Sequence, residues 1–306
     1  MYDVLFLQSG EGSTFLNMAS RVIREQGFKT VYGSLVNGRY KLVPDAMEDG
    51  VWLNVRNTIV NWGCDLPINW GYTDRAPVIF NTPDAVKVCQ DRLNLLSTLS
   101  SSIVRAYTPP FYTDKDSLIP GMKYIAYPER DRKLLSRPKM VDGAHPGDYP
   151  IYSSYRDTRT EFIVSVGIGG TILSIEPLVW NGDMVDMNVD DHQMPYIRSP
   201  NHGWWPAEAE DFLSEMNGGV LRSMCRVSVR AIHSLGLNFG QVKVGWRARN
   251  NNIWIFDVDP VLHSGSRGQE RFSSSLLSHI QYVGEEIRMM EIAQDLHEDL
   301  LYEDRE

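Results

Sequence analysis

The sequence predicts a mixed α/β and α+β protein, and three observations predict it. Strand and helix signals alternate over residues 2–80, the stretch from Lys123 to Val179 is rich in strand patterns, and a long helical pattern runs on from Ser273.

Val4 to Leu7 is a short apolar run, and Phe15, Met18, Ala19, Val22 and Ile23 recur at helical spacing between a candidate N-cap, Ser13, and Gly27. Further strands are expected at Thr30–Leu35, Val51–Val55 and Val78–Phe80, which makes residues 1–80 a Rossmann-like entry layer with a partly parallel sheet. Gly10-x-Gly12 is only a fragment of a phosphate-binding fingerprint. Pro83 then opens a helix to about Ser100, with Ala85, Val88, Cys89, Leu93, Leu96 and Leu99 toward one face. Pro109-Pro110 ends the strand expected after it, and Gly169-Gly170 marks a hairpin within the β-rich stretch. Helices are expected from about Ala207 to Met216 and, past Gly218-Gly219, from Val220 to Leu235. The division that follows is 1–80, 81–265, and a helical tail 266–306 whose Leu276, Ile280, Val283, Ile287 and Met290 alternate at spacings of four and three. Such a seam fits packing on the body of the protein or on a partner helix, so self- or partner-assembly through residues 273–301 is an open reading.

A net charge of −9 and a pI near 5.3 argue against a broad surface for nucleic-acid backbones, which needs many Lys and Arg. No apolar run reaches about 18 residues, so no membrane span is expected. The start YDVLFLQSG lacks a secretory pattern, and the chain is expected to be cytoplasmic. Cys64, Cys89 and Cys225 have neither disulfide nor zinc spacing, and His192, His202 and His233 have no metal-ligand spacing. Arg222, Arg226 and Arg230 form a basic stripe that reads first as a solvated helix face.

The richest segment is Leu235 to Pro260, where two strand-like runs flank a polar turn and the second ends in Asp257-Val258-Asp259-Pro260. Residues i and i+2 share a face of a strand, so Asp257 and Asp259 present two carboxylates side by side that need a counter-charge. Mg²⁺ held together with nucleotide phosphates is one answer. A lysine is the other: a three-residue turn at Arg249–Asn251 sets Lys243 opposite Asp257 and Gln241 opposite Asp259.

The order of several separated motifs resembles the ATP-grasp superfamily, especially short ATP-grasp proteins found among bacteriophage and bacterial carboxylate-amine ligases of the ribosomal-protein glutamate ligase type. The resemblance spans residues 60 to 265. It rests on Asn61-Trp62-Gly63, Asn81-Thr82-Pro83-Asp84-Ala85-Val86 with Asp91-Arg92-Leu93, Ser136-Arg137-Pro138, Arg159 to Val166, Arg198 to Trp204, Leu235 to Gly240, and Asp257 to Pro260. It implies two α+β lobes around a nucleotide cleft, with ATP and Mg²⁺ as cofactors and an acylphosphate formed on a substrate carboxylate and captured by an amine of a small molecule or peptide.

By the same resemblance, Arg92 and Arg137 stand where lysines contact phosphates, Tyr152 and Ser153 fall near the adenine-contacting hinge, and Glu161 lies near ribose or adenine. Gly143 and Gly147 would belong to a mobile loop over the phosphates, and Asp257 and Asp259 would be metal ligands in place of a Glu-x-Asn pair. The plainer alternatives are a solvated helix residue at Arg92, a surface strand residue at Arg137 and a solvent-facing Glu161. Two departures fall at the chemistry. Ile163 replaces an arginine, and Lys243 stands where the first acidic metal ligand is usual; a lysine about 4 Å from a divalent ion costs several kcal/mol even at an effective dielectric near 20. Two readings follow. One is a ligase in which Lys243 contacts a phosphate, and the other a catalytically degenerate ATP-grasp-like binding or structural protein, such as a phage component acting in host cytoplasm or virion.

Overall fold

The structure, a computed structural model, describes residues 2–9, 14–36, 39–43, 55–66, 77–131, 138–156, 158, 160–178, 218–247, 250–262 and 266–303. The chain divides into two compact units, one formed by Met1–Phe80 with Gln269–Glu306 and the other by Asn81–Gly268.

In the first unit, β1 (Tyr2–Ser9) is the middle strand of a sheet ordered β3-β2-β1-β4-β5, with β2 at Thr30–Val36, β3 at Arg39–Val43, β4 at Val55–Trp62 and β5 at Val78–Phe80. β1 runs parallel to β2 and β4, β4 runs parallel to β5, and β3 is antiparallel to β2. The partly parallel α/β layer is thus present. A parallel strand covered on both faces is apolar without alternation, which is why VLFL reads as a run and is buried throughout. Helix α1 (Thr14–Glu25) adds the buried Leu16, Ala19 and Ile23.

The fourth strand departs from the expected Val51–Val55: it begins at Val55, and residues 51–54 lie outside the described residues. Polar Asn57, Thr58 and Asn61 hide it in the sequence, yet all three are buried and bonded. Thr58 Oγ1 donates to Asn57 Oδ1 at 2.7 Å, Asn57 Nδ2 to Ile280 O at 3.0 Å, and Asn61 Nδ2 to Cys64 O at 2.8 Å. The C-terminal helix (Ser266–Glu303) also places Phe272 edge-on to Trp62 and His279 against Phe80, and buries Leu276, Ile280 and Val283.

The second unit begins with α2 (Pro83–Gln90), whose Thr82 hydroxyl caps Ala85 N, and α3 (Arg92–Ser101). The single expected helix is broken at Asp91, which takes an extended backbone and bridges to Asp131. Its carboxylate accepts from Asn94 N at 2.9 Å and from Arg130 at 2.9 Å. Past the break Leu95, Leu96 and Leu99 are buried while Leu93 is not. Among the described residues no strand lies between α3 and Pro109-Pro110; a 3₁₀ turn at Arg105–Tyr107 leads into them, and the short strand β6 (Phe111–Tyr112) follows.

A four-stranded sheet, ordered β6-β9-β7-β8, uses β7 (Lys123–Tyr127), β8 (Lys139–Asp142) and β9 (Ile151–Ser154). A second four-stranded sheet is ordered β11-β10-β12-β13, with β10 at Thr160–Val166, β11 at Ile172–Leu178, β12 at Gly240–Arg247 and β13 at Asn252–Asp259. The β10–β11 hairpin turns at Gly169 and Gly170, whose φ of 70° and 77° explains the glycine pair. Helix α4 (Gly218–Ser234) packs Val220, Met224, Val227, Ala231 and Ile232 into the core shared with the apolar face of this second sheet. Its exposed Arg222, Arg226 and Arg230 are the solvated stripe. The helix expected at 207–216 lies outside the described residues. No helix among the described residues is long and apolar enough to cross a membrane.

Candidate functional site

Alternation divides the β11-β10-β12-β13 sheet into two faces. Phe162, Val164, Val166, Val242, Val244, Trp246, Ile253, Ile255 and Val258 fill the core beneath it. Directly opposed residues of antiparallel strands share a face, so the register sets two rows on the other side. Glu176, Ile163, Lys243 and Asp257 form one, and Ser174, Ser165, Gln241 and Asp259 the next.

The pairing of Lys243 with Asp257 and Gln241 with Asp259 is the expected one, reached by a different route. Next to the turn, Arg247 faces Asn252, one residue off the three-residue-turn register, and a bulge between Lys243 and Val244 restores it. That bulge, which leaves Phe256 as the extra residue, has a consequence for the site. Ile253 and Ile255 face the core, and unbroken alternation would bury Asp257 with them; the inserted residue turns Asp257 and Asp259 to the polar side and Val258 inward.

Ionic contacts distribute the charges of the first row. Arg92 Nη1 donates to Asp257 Oδ1 at 3.0 Å, and Lys243 Nζ lies 2.7 Å from Glu161 Oε2. Among the described residues the cross-strand neighbours Lys243 and Asp257 therefore take different ionic partners, and the counter-charge that the sequence offered Asp257 from Lys243 comes from Arg92. The reason is lateral: Arg92 reaches Asp257 from another element 165 residues away in sequence, and Glu161, near Lys243 on β10, offers it a second carboxylate.

Arg92 is placed by the break at Asp91, where its N–H donates to Arg130 O at 2.7 Å. Its guanidinium sits 4.6 Å from the centroid of the Tyr127 ring. Burial works against the charge, but Asp257, Tyr127 and the hydrogen bond to Asp257 outweigh it and hold the Arg92 pKa above its ordinary value. Arg92 is thus a mostly buried cation, not a solvated helix residue. Arg137 lies outside the described residues.

Ser153 lies on the face of the β6-β9-β7-β8 sheet that carries Tyr127, as the pairing of Ile125 with Ser153 requires. Tyr152 does not: its ring is buried on the opposite face among Leu118, Tyr124 and Ala126, and its hydroxyl donates to Gly147 O at 2.9 Å and accepts from Tyr149 N at 2.9 Å. The expected mobile loop at Gly143 and Gly147 is tied by these bonds and by Gly143 N to Met122 O at 2.8 Å. At Gly143 a Cβ would fall 2.1 Å from Ile119 O, so close backbone approach accounts for that glycine.

Two groups had no role assigned from the sequence: Glu176 was not singled out, and Asn81 stood only as part of a motif. Glu176 stands in the same row as Lys243 and accepts from Ser174 Oγ at 2.9 Å. Burial raises its pKa and the Ser174 bond only partly offsets this. Its signal was the alternation in Ile172–Leu178, where Ser174 and Glu176 both fall on the polar phase. Asn81, fully buried at a φ of 58°, joins both ends of the hairpin. Its Nδ2 donates to Phe239 O at 3.1 Å and Pro260 O at 2.9 Å, and its Oδ1 accepts from Asn238 N at 2.8 Å.

Asp257 Oδ1 also accepts from its own strand at Val258 N, and Asp259 Oδ1 from Val261 N at 3.2 Å. Among the described residues no cluster of three His, Cys, Asp or Glu side chains could hold a metal. Two carboxylates on one face fit a magnesium ion shared with the phosphates of a nucleotide, and fall short of a metal held by protein alone.

No protein-family model matches the chain and no curated protein matches it. Solved structures do. D-alanine–D-alanine ligase from Bacillus anthracis is similar at a TM-score of 0.53 and 12% identity, covering 95% of this chain and 100% of its own. The ATP-grasp ligase PsnB, complexed with a minimal precursor, gives 0.52 and 9%, with 91% and 99% covered. The macrocyclase MdnC of Microcystis aeruginosa MRC, bound with the precursor peptide MdnA, gives 0.53 and 10%, with 90% and 99% covered. With the sheet orders above, these likenesses establish the class: the chain has the ATP-grasp fold.

Proposed function

We propose that this protein is an ATP-dependent carboxylate-amine ligase that works through an acylphosphate. The observation that carries the reading is the Arg92–Asp257 pair on the polar face of an ATP-grasp fold, which brings a buried cation and a carboxylate to one point. In phosphoryl transfer the protein supplies chiefly charge and positioning. Arg92 and Arg137 would bind phosphate oxygens, and Arg92 would exchange Asp257 for them. Asp257 and Asp259 would hold Mg²⁺, which neutralises phosphate charge when bound. Lys243, released from Glu161, would contact the transferred phosphate, leaving Glu161 and the backbone near Ser153 for the nucleoside. The acid and amine are a small molecule or a peptide; PsnB and MdnC, complexed with precursors, support a peptide.

Calorimetry with ATP and Mg²⁺, followed by assay of ADP release with acid and amine pairs, tests the reading. Binding in the micromolar range that falls at least about tenfold in Arg92→Ala is expected, since that change removes a charge-assisted contact. No nucleotide binding in the wild type would sink it. Lys243→Asp should raise Mg²⁺ affinity in the presence of nucleotide by adding a carboxylate to the row.

A second reading, a non-catalytic binding or structural protein, is favoured by one observation: Arg92 and Lys243 are each neutralised by a carboxylate of the chain. It predicts that ATP leaves the melting temperature unchanged even at millimolar concentration.

A further inference from the structure

Resting on the ligase reading, we infer that Glu176 receives the amine: its carboxylate binds the amine as an ammonium ion and then takes a proton from it. The amine is of the class without a neighbouring carboxylate, such as a lysine side chain or a simple alkylamine. Across the sheet the register sets Glu176, Ile163, Lys243 and Asp257 in one row. Neighbouring strands lie about 4.8 Å apart, so at the backbone Glu176 stands roughly 10 Å from Lys243 and roughly 14 Å from Asp257. That order matches the groups which amide formation must line up. Asp257 and Lys243 serve the phosphate end, Ile163 is an apolar floor under the acyl group, and Glu176 meets the nucleophile one strand further out.

The surroundings of Glu176 call for a cation. It is partly buried, and burial disfavours its charged form. The Ser174 hydroxyl, 2.9 Å away, is its one hydrogen-bond partner among the described residues, and no cation of the chain meets it there. Lys243, the nearest charge along the row, is held by Glu161 at 2.7 Å. A carboxylate so placed lacks a counter-charge, and an ammonium supplies one. Glu161 is the other acid close by: opposite Leu178 and two residues along β10 from Ile163, it lies diagonal to Glu176 on the same face. A free amino acid would set its own carboxylate beside these two acids with no cation to receive it, which is why the amine belongs to the class without one.

In the step itself, Glu176 accepts one proton from the ammonium, and the freed lone pair forms the N–C bond to the acyl carbon. The C–O bond to phosphate breaks, phosphate leaves with that electron pair, and the second N–H proton goes to the departing phosphate. Burial suits Glu176 to this task, since a carboxyl whose pKa lies above its ordinary value is a stronger base at neutral pH.

Calorimetry of the full chain saturated with ADP and Mg²⁺, titrated with butylamine in one arm and glycine in the other, tests the role. Butylamine should bind, glycine should bind at least about tenfold more weakly, and Glu176→Gln should weaken butylamine by a similar factor, as expected for a lost charge-assisted bond. Only the carboxylate holds an ammonium, so wild-type affinity should be full above the raised pKa of Glu176 and be lost as pH falls through it. This pH dependence should vanish in Glu176→Gln. Ser174→Ala removes the bond that holds the carboxyl down and should move the same loss to higher pH; it decides alone should Glu176→Gln not fold. With ADP bound, no binding of butylamine overturns the role of Glu176 while the ligase reading stands. Wild-type affinity in Glu176→Gln overturns it too, by placing the ammonium on another acid such as Glu161, as does an unmoved pH dependence in Ser174→Ala. Equal affinity for glycine overturns the substrate class. Should ADP itself not bind, the ligase reading falls and the role of Glu176 falls with it.

Discussion

Glu176 illustrates how one residue's setting becomes measurable. Its carboxyl is pushed up by burial, against the pull of the Ser174 hydroxyl. A carboxyl whose pKa rises on folding favours the native state while protonated in both states, and that advantage is lost as pH climbs through the raised value. Glu176→Gln should therefore melt higher than wild type at neutral pH. The difference should close as pH falls into the ordinary carboxylate range, in a series of thermal melts. Asn81 makes a second case. Asn81→Ala leaves Phe239 O, Pro260 O and Asn238 N short of a buried partner and should cost about 3 kcal/mol, read from the shift of a urea midpoint.

At the scale of elements, the bulge at Phe256 governs which side Asp257 faces. Deleting Phe256 would return β13 to strict alternation and drive the carboxylate of Asp257 toward the core side occupied by Ile253 and Ile255. The variant should lose cooperative unfolding or, if it folds, lose nucleotide binding together with the Arg92 contact; retention of wild-type stability and ATP affinity would contradict this role for the bulge. The C-terminal helix, which belongs to the other compact unit, offers a control. Leu276, fully buried, should cost about 2–5 kcal/mol on truncation to Ala by the usual cavity argument, with ATP affinity unchanged.

For the whole molecule, the charge balance and the local chemistry point in different directions. A net charge of −9 predicts that the protein flows through a heparin column at physiological salt, while Arg92 buries a cation locally beside Asp257. Selective anion binding on an acidic protein is expected of recessed sites and not of an open basic surface. Nucleotide at about a hundred times its Kd should stabilise the fold by about 2.7 kcal/mol, seen as a rise in melting temperature that Arg92→Ala diminishes.

The sequence by itself determined the fold class, the parallel N-terminal layer, the hairpin ending in Asp257 and Asp259, and the residues opposite them. These depend on local periodicity and on motif order, which survive in a single chain. It did not find β4 beyond Val55, because buried polar Asn57, Thr58 and Asn61 look like surface until their partners are known. It missed the break at Asp91 for the same kind of reason, since what stabilises an extended residue there is Arg130 and the bridge to Asp131. Only the tertiary structure decided the pairing of charges. Lys243 and Asp257 are neighbours by strand register, yet Glu161 holds one and Arg92 the other, because an ion pair is settled by which side chains packing brings within about 4 Å, not by spacing along the chain.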